Sequence, residues 1–303
     1  MSAYVNDGSA DAPKLLAYLN LANLDDLRAD SLWPGPLTGA ARDARLAADG
    51  FVGIQCVDFS PPAGGTRLRH CGSDRVNLPA EADAIVARHA ALGHDCLTLH
   101  VGWGLEDDAE IDHLVEAILL ASQRYALPVF IETHRATITQ DLWRTVQLTK
   151  RFPEVRFNGD FSHFYTGQEL AYGDMPTKLA FMRPIFDRVA FMHGRIGSSG
   201  CMQVSIGDGV GRPPAAHGVV NFLDDFKSLW THAMLGFLRN AKRGDCLIFC
   251  PELLSGAYYY ARRFSDGAGG FVEESDRYQE SLVYNKIAHA CFADARARRA
   301  SEA

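Results

Sequence analysis

Short apolar runs alternate along this chain with longer stretches whose apolar residues recur every 3.6 positions. The runs occupy 15–19, 51–56, 96–99, 128–131, 155–157, 189–192 and 246–250, with a weaker one at 67–71. Each is too short for a buried helix and rich in β-branched, aromatic and other apolar residues, so each reads as a buried strand. Between two of them Ile111, Leu114, Val115, Ile118 and Leu119 fall at i, i+3, i+4, i+7 and i+8, one face of a helix. Comparable helical segments are expected at 80–92, 141–151, 222–241 and 276–298.

Strand–helix alternation predicts a parallel sheet with helices outside it. Eight candidate strands predict that the sheet closes into a (β/α)8 TIM barrel, one domain over residues 1–303. An open doubly wound sheet is the alternative, but its nucleotide fingerprint is missing. The stretch Gly207-Asp208-Gly209-Val210-Gly211 lacks the GxGxxG spacing and does not lead from a strand into a helix, so it reads as a mobile loop.

Composition changes this picture little. Of the 303 residues 47% are hydrophobic and 22% charged, enough to bury a core without disulfide or metal support. The formal charge is −7 and no basic run precedes Arg296-Ala297-Arg298-Arg299, which argues against nucleic acid as a partner. The seven cysteines are scattered without a CxxC pair, several of them in expected strands where Cys acts as a small hydrophobe. No apolar run approaches 18 residues and the first seven residues are polar without a basic start. These features predict no membrane span, no leader and a cytoplasmic setting.

Barrel enzymes carry their chemistry at the C-terminal ends of strands. Here the fifth expected strand ends in Glu132, the sixth leads into Asp160, the seventh ends in His193 and the eighth in Glu252. Their separations of 28, 33 and 59 residues are each one βα unit, the last enlarged by an insertion, so all four side chains should meet at one mouth. Three carboxylates and an imidazole make an oxygen-rich site suited to one divalent ion: Mn²⁺ first, then Mg²⁺ or Co²⁺, with Fe²⁺ and Zn²⁺ as alternatives.

Glu132-Thr133-His134-Arg135, Asp160-Phe161-Ser162-His163, His193-Gly194-Arg195 and Pro251-Glu252 closely resemble the sugar phosphate isomerase/epimerase group of the xylose-isomerase-like barrels, over about residues 50–256. The group includes ketose 3-epimerases, hydroxypyruvate isomerases and inosose dehydratases. The resemblance implies metal ligation by Glu132, Asp160, His193 and Glu252, acid–base work by Glu132 and Glu252, and substrate contact by His163 and Arg195. His100 and His134 are left with two roles, orienting a ligand or touching substrate. The implied reaction is proton removal next to a carbonyl of a sugar or polyol-derived hydroxyketone, with a metal-stabilised enediolate, giving an isomerase or epimerase of carbohydrate metabolism. Rivals are a dehydratase-type lyase, a metal-dependent oxidative role, an endonuclease-IV-like nuclease and a non-catalytic sugar-binding barrel. The nuclease would need an Asp-x-His that His217 and His232 do not supply.

Two features depart from the pattern. The segment 197–220 is long for a βα loop and rich in Gly and Pro; it is expected to act as a closing lid, or else as a contact in a homo-oligomer, and Gly197–Gly200 as a cradle for a phosphate. Tyr258-Tyr259-Tyr260 is expected to serve packing more than a sugar face.

Overall fold

The computed structural model describes residues 4–56, 68–210 and 222–302. After a short β1 (Val5–Asn6) come eight barrel strands: β2 (Lys14–Asn20), β3 (Gly53–Cys56), β4 (Arg69–Val76), β5 (Leu97–Val101), β6 (Val129–Glu132), β7 (Phe157–Asn158), β8 (Val189–Gly194) and β9 (Asp245–Pro251). Each is parallel to its neighbour in chain order, and β9 pairs with both β8 and β2, so the sheet closes. The fold is a (β/α)8 barrel. β1 is an antiparallel addition to the first residues of β9, with Val5 opposite Cys246 and Asn6 opposite Asp245.

The helices are α1 (Gly39–Ala48), α2 (Ala82–Ala91), α3 (Asp108–Tyr125), α4 (Leu142–Arg151), α5 (Phe161–Gly167), α6 (Met175–Phe186), α7 (Phe222–Asn240) and α8 (Arg277–Ser301). Aspartates start several of them. Asp107 accepts from Glu110 N while the Glu110 carboxylate reaches back to Asp107 N, and Asp141, Asp174 and Asp276 cap α4, α6 and α8. The stripe read on α3 faces inward, with Ile111, Leu114, Val115 and Ile118 buried and Leu119 half-buried.

Strands covered on both faces lose the in–out alternation of open sheets. Every residue of β8 and β9 is buried. Trp230 of α7 seals their outer face, its ring 5.0 Å from Phe249 and 5.8 Å from Tyr284 of α8. The helices approach closely too: a Cβ on Gly236 of α7 would lie 2.3 Å from the carbonyl oxygen of Phe186.

The expected strand at 155–157 is found shifted to the two residues Phe157 and Asn158 of β7, and the weak one at 67–71 is found as the eight residues of β4. α1, α5 and α6 and the hairpin of β10 (Arg263–Ser265) and β11 (Phe271–Glu273) were not expected. All seven cysteines are free thiols, five of them buried. Among the described residues no helix is long and apolar enough to cross a membrane.

Candidate metal centre

The polar ends of β6, β8 and β9 and the cap of α5 converge. One ligand atom each from Glu132, Asp160, His193 and Glu252 lies within 4.8 Å of the other three. Asp160 reaches this point through two roles. Its Oδ1 caps α5 by accepting from Ser162 N at 3.0 Å and Ser162 Oγ at 2.5 Å, which turns Oδ2 inward. That Oδ2 is fully buried and accepts no hydrogen bond. A buried carboxylate oxygen is costly unless cations complete it. Arg195 Nη1 is one such charge, 3.5 Å away, and the convergence of three further ligand atoms on the same point fits a divalent ion as another.

The remaining expected residues surround this cluster. Arg195, 1% exposed, donates through Nε to the Glu252 carbonyl at 3.0 Å, pairs through Nη2 with the Glu252 carboxylate and sets Nη1 3.5 Å from Asp160 Oδ2. The Tyr260 ring covers its other side at 4.3 Å. Arg195 therefore stands behind the carboxylates as a fixed counter-charge. His163 Nε2 lies 3.6 Å from Asp160 Oδ2, and neither of its ring nitrogens has a hydrogen-bond partner. His100 Nε2 meets Glu132 Oε1 at 3.0 Å. The rings of His100, His134 and His163 form a row, with centroids 4.5 and 3.9 Å apart.

The charges set one another. Burial disfavours ionised Glu132, but His100 and His193 outweigh it and hold its carboxyl well below the usual range. Burial likewise opposes charge on His193, yet Glu252 and Glu132 push it up to about 9. Asp160 goes the other way: burial, only partly offset by Arg195, raises it to about 6. Burial drives His134 down to about 3 and holds His163 well below the ordinary histidine value, so both rings are neutral.

Three amides missing from the sequence reading complete the site. Asn20 Nδ2 donates to Glu252 Oε1 and to Gln55 Oε1, both at 2.9 Å. Gln55 Oε1 also meets His193 Nε2 at 2.8 Å. Asn158 Nδ2 lies 3.1 Å from both Glu132 Oε2 and His193 Nδ1. Each amide sits in or beside an apolar strand run, where it needs buried partners, but the sequence does not say which partners those are.

The expected flexible arm after β8 is pinned in its described part. Ile196 N donates to Tyr284 OH at 3.0 Å, Val204 N to Ile196 O at 3.1 Å, and Ile206 N to Glu280 Oε1 at 2.9 Å. Three local amides have partners within the turn: Ser198 N donates to Cys201 O at 2.7 Å, and Gly200 N and Cys201 N to Ser198 Oγ at 3.4 and 3.1 Å. Residues 211–221, with the Pro213-Pro214 pair and His217, lie outside the described residues. The tyrosine triplet divides between packing and solvent. Only Tyr260 packs; Tyr259, in the left-handed region at φ 62°, projects outward and is 96% exposed.

No protein-family profile matches the sequence, and no curated protein sequence matches it. Solved structures do. The probable 3-DHS dehydratase AsbF, involved in petrobactin synthesis, from Bacillus anthracis superposes with a TM-score of 0.50 at 15% identity, over 78% of this chain and 92% of that one. The chain is similar to that structure in fold. A D-tagatose 3-epimerase-like protein gives a TM-score of 0.45 at 9% identity, over 91% of this chain and 98% of that one. A xylose isomerase domain protein from Planctomyces limnophilus gives 0.44 at 12%, over 82% and 92%. At these identities the likeness is one of shape.

Proposed function

We propose that the barrel is a single-domain, divalent-metal-dependent isomerase or epimerase acting on a sugar or related hydroxyketone. The observation that carries the reading is the convergence of Glu132, Asp160, His193 and Glu252 within 4.8 Å around a buried carboxylate oxygen without a donor. The four are read as ligands, with Mn²⁺ the first choice for a set dominated by oxygen. Such an ion, when bound, supplies Lewis-acid polarisation of a carbonyl and the hydroxyl oxygen beside it.

The chain's own residues do the rest. Glu132, kept ionised by His100 and His193, is fit to take a proton from carbon, and Glu252 is the second carboxylate through which a proton returns. Return to the opposite face of the same carbon gives epimerisation, and return to the neighbouring carbon gives isomerisation. His163, buried and neutral, offers nitrogens without protein partners to substrate hydroxyls. Arg195 holds Glu252 and balances the excess negative charge from 3.5 Å behind Asp160.

A lyase is the second reading, favoured by His100. Glu132 keeps that imidazole protonated above its ordinary range despite burial, and its side chain remains 30% exposed at the mouth, where it can protonate a departing hydroxyl. The AsbF structure, described as a dehydratase, is consistent with such chemistry on this fold. In both readings the partner is a small molecule, not nucleic acid or membrane.

The test is incubation of the Mn²⁺-loaded protein with a panel of ketoses and cyclic hydroxyketones in D₂O, followed by mass spectrometry. Isomerisation or epimerisation conserves mass apart from deuterium wash-in, whereas a lyase product is lighter by one water. Glu132→Gln and Glu252→Gln should each lower turnover by about 10²-fold or more while the protein still folds. Retention of more than about a tenth of the wild-type rate in either variant would remove that residue from the proton path.

A further inference from the structure

Three hydrogen-bonding steps join a backbone amide to the histidine of the proposed metal centre, and each step fixes the next. Ala22 N–H can only donate, so the Asn20 atom it meets at 3.0 Å is Oδ1. Asn20 Nδ2 must then be the donor toward Gln55 at 2.9 Å, which makes the Gln55 atom Oε1. The other end of Gln55 agrees: its Nε2 lies 2.9 Å from Thr98 Oγ1, and Thr98 spends its proton on the Gly72 carbonyl at 3.4 Å. An oxygen therefore faces His193 Nε2 at 2.8 Å, and Nε2 has to carry a hydrogen. Asn20, Gln55, Thr98 and His193 are all buried, so no water offers another arrangement.

Asn158 reaches the same answer from the opposite side. His193 N–H donates to Asn158 Oδ1 at 3.0 Å, so the Asn158 amide turns its NH₂ toward His193 Nδ1 at 3.1 Å. A donor pointing at Nδ1 favours a lone pair there. Nδ1 is also the nitrogen that faces the carboxylates, 3.3 Å from Glu132 Oε2 and 3.5 Å from Glu252 Oε2.

We propose that Asn20 and Gln55 are positioning residues that fix the proton of neutral His193 on Nε2 and so keep Nδ1 available as the ligating nitrogen. The inference rests on the metal-centre reading for its consequence, but the proton placement stands on hydrogen-bond geometry alone. Asn20 adds a second effect. The same NH₂ that orders Gln55 holds Glu252 Oε1, so one backbone-anchored amide orients two of the four proposed ligands. Groups that orient metal ligands in this way are typically worth about 10–100-fold in metal affinity.

The experiment is ¹⁵N NMR of the metal-free, histidine-labelled protein at a pH high enough to leave the ring neutral, paired with Mn²⁺ titration. In the wild type the His193 proton should reside on Nε2. Gln55→Leu removes the acceptor; a mixed or reversed tautomer and about 10–100-fold weaker Mn²⁺ binding are expected. Gln55→Glu retains an acceptor oxygen toward His193 and should keep the Nε2 proton, which also covers the case in which Gln55→Leu fails to fold. A proton on Nδ1 in the wild type would overturn the proposal. So would loss of the Nε2 proton in folded Gln55→Glu, or a Gln55→Leu protein unchanged in both readouts. If the wild type binds no Mn²⁺, the metal-centre reading fails, while the nitrogen spectrum still decides the relay.

Discussion

At the residue scale, protons and a divalent cation compete for the same atoms. His193 carries a second proton at neutral pH because Glu252 and Glu132 raise it to about 9 against the effect of burial. Entry of a cation displaces that proton. Apparent affinity for Mn²⁺ should therefore climb about tenfold per pH unit as pH rises from 6 toward 9. Below about 6 the dependence should steepen, because burial then keeps Asp160 protonated as well. Calorimetry in buffers of different ionisation enthalpy should count about one proton released at pH 7.5 and about two near pH 5. An affinity independent of pH across this range would contradict the ligand roles of both residues.

At the element scale, the described part of the segment after β8 is braced against the stretch after β9 and against α8: Gln203 Nε2 donates to Leu254 O and Ser205 N to Glu274 Oε2. Glu280 of α8, 4% exposed, is its pin, accepting from Ser205 Oγ at 2.5 Å and Ile206 N at 2.9 Å. Glu280→Ala should cost about 2–3 kcal/mol, since hydrogen bonds to a charged group are lost and two donors are left bare. Hydrogen exchange at the Ile206 amide should quicken in that variant; unchanged protection would show that the pin does not hold the segment. The sequence could not reveal this contact, which joins positions 74 and 75 residues apart that are set by tertiary packing. It did reveal the barrel strands, because β8 and β9 are covered on both faces and read as unbroken apolar runs. α1 was missed for the opposite reason: Gly39–Ala48 is largely Ala and Arg, and only Asp43 and Leu46 are buried, which leaves no apolar stripe to detect. α6 carries Pro176 at its second position and Pro184 near its end, a pattern that reads as a loop.

At the scale of the molecule, closure of the sheet turns distant strand ends into one site. β9 pairs with β8 and with β2, bringing Glu252 beside His193 on one side and Asn20 on the other. Glu132, Asp160, His193 and Glu252 were legible because charged residues directly after apolar runs stand out; Asn20, Gln55 and Asn158 were not, because an amide inside a strand shows its purpose only once its partners are placed. The closed ring also depends on tight helix seams. Gly236→Ala would force α7 off the end of α6, where the new Cβ meets backbone at 2.3 Å, and should destabilise the protein by about 1–3 kcal/mol in denaturant unfolding. A neutral substitution there would mean that the seam has slack. The central claim is that the converging side chains hold one divalent ion. Its most direct test is metal content per chain after Mn²⁺ loading and extensive dialysis, for the wild type and for Asp160→Ala. The expected result is one ion per wild-type chain and less than about a tenth of that in the variant, because Asp160 Oδ2 is the buried oxygen left without a donor. A wild type that retains no ion, or an Asp160→Ala protein that retains as much as the wild type, would contradict it.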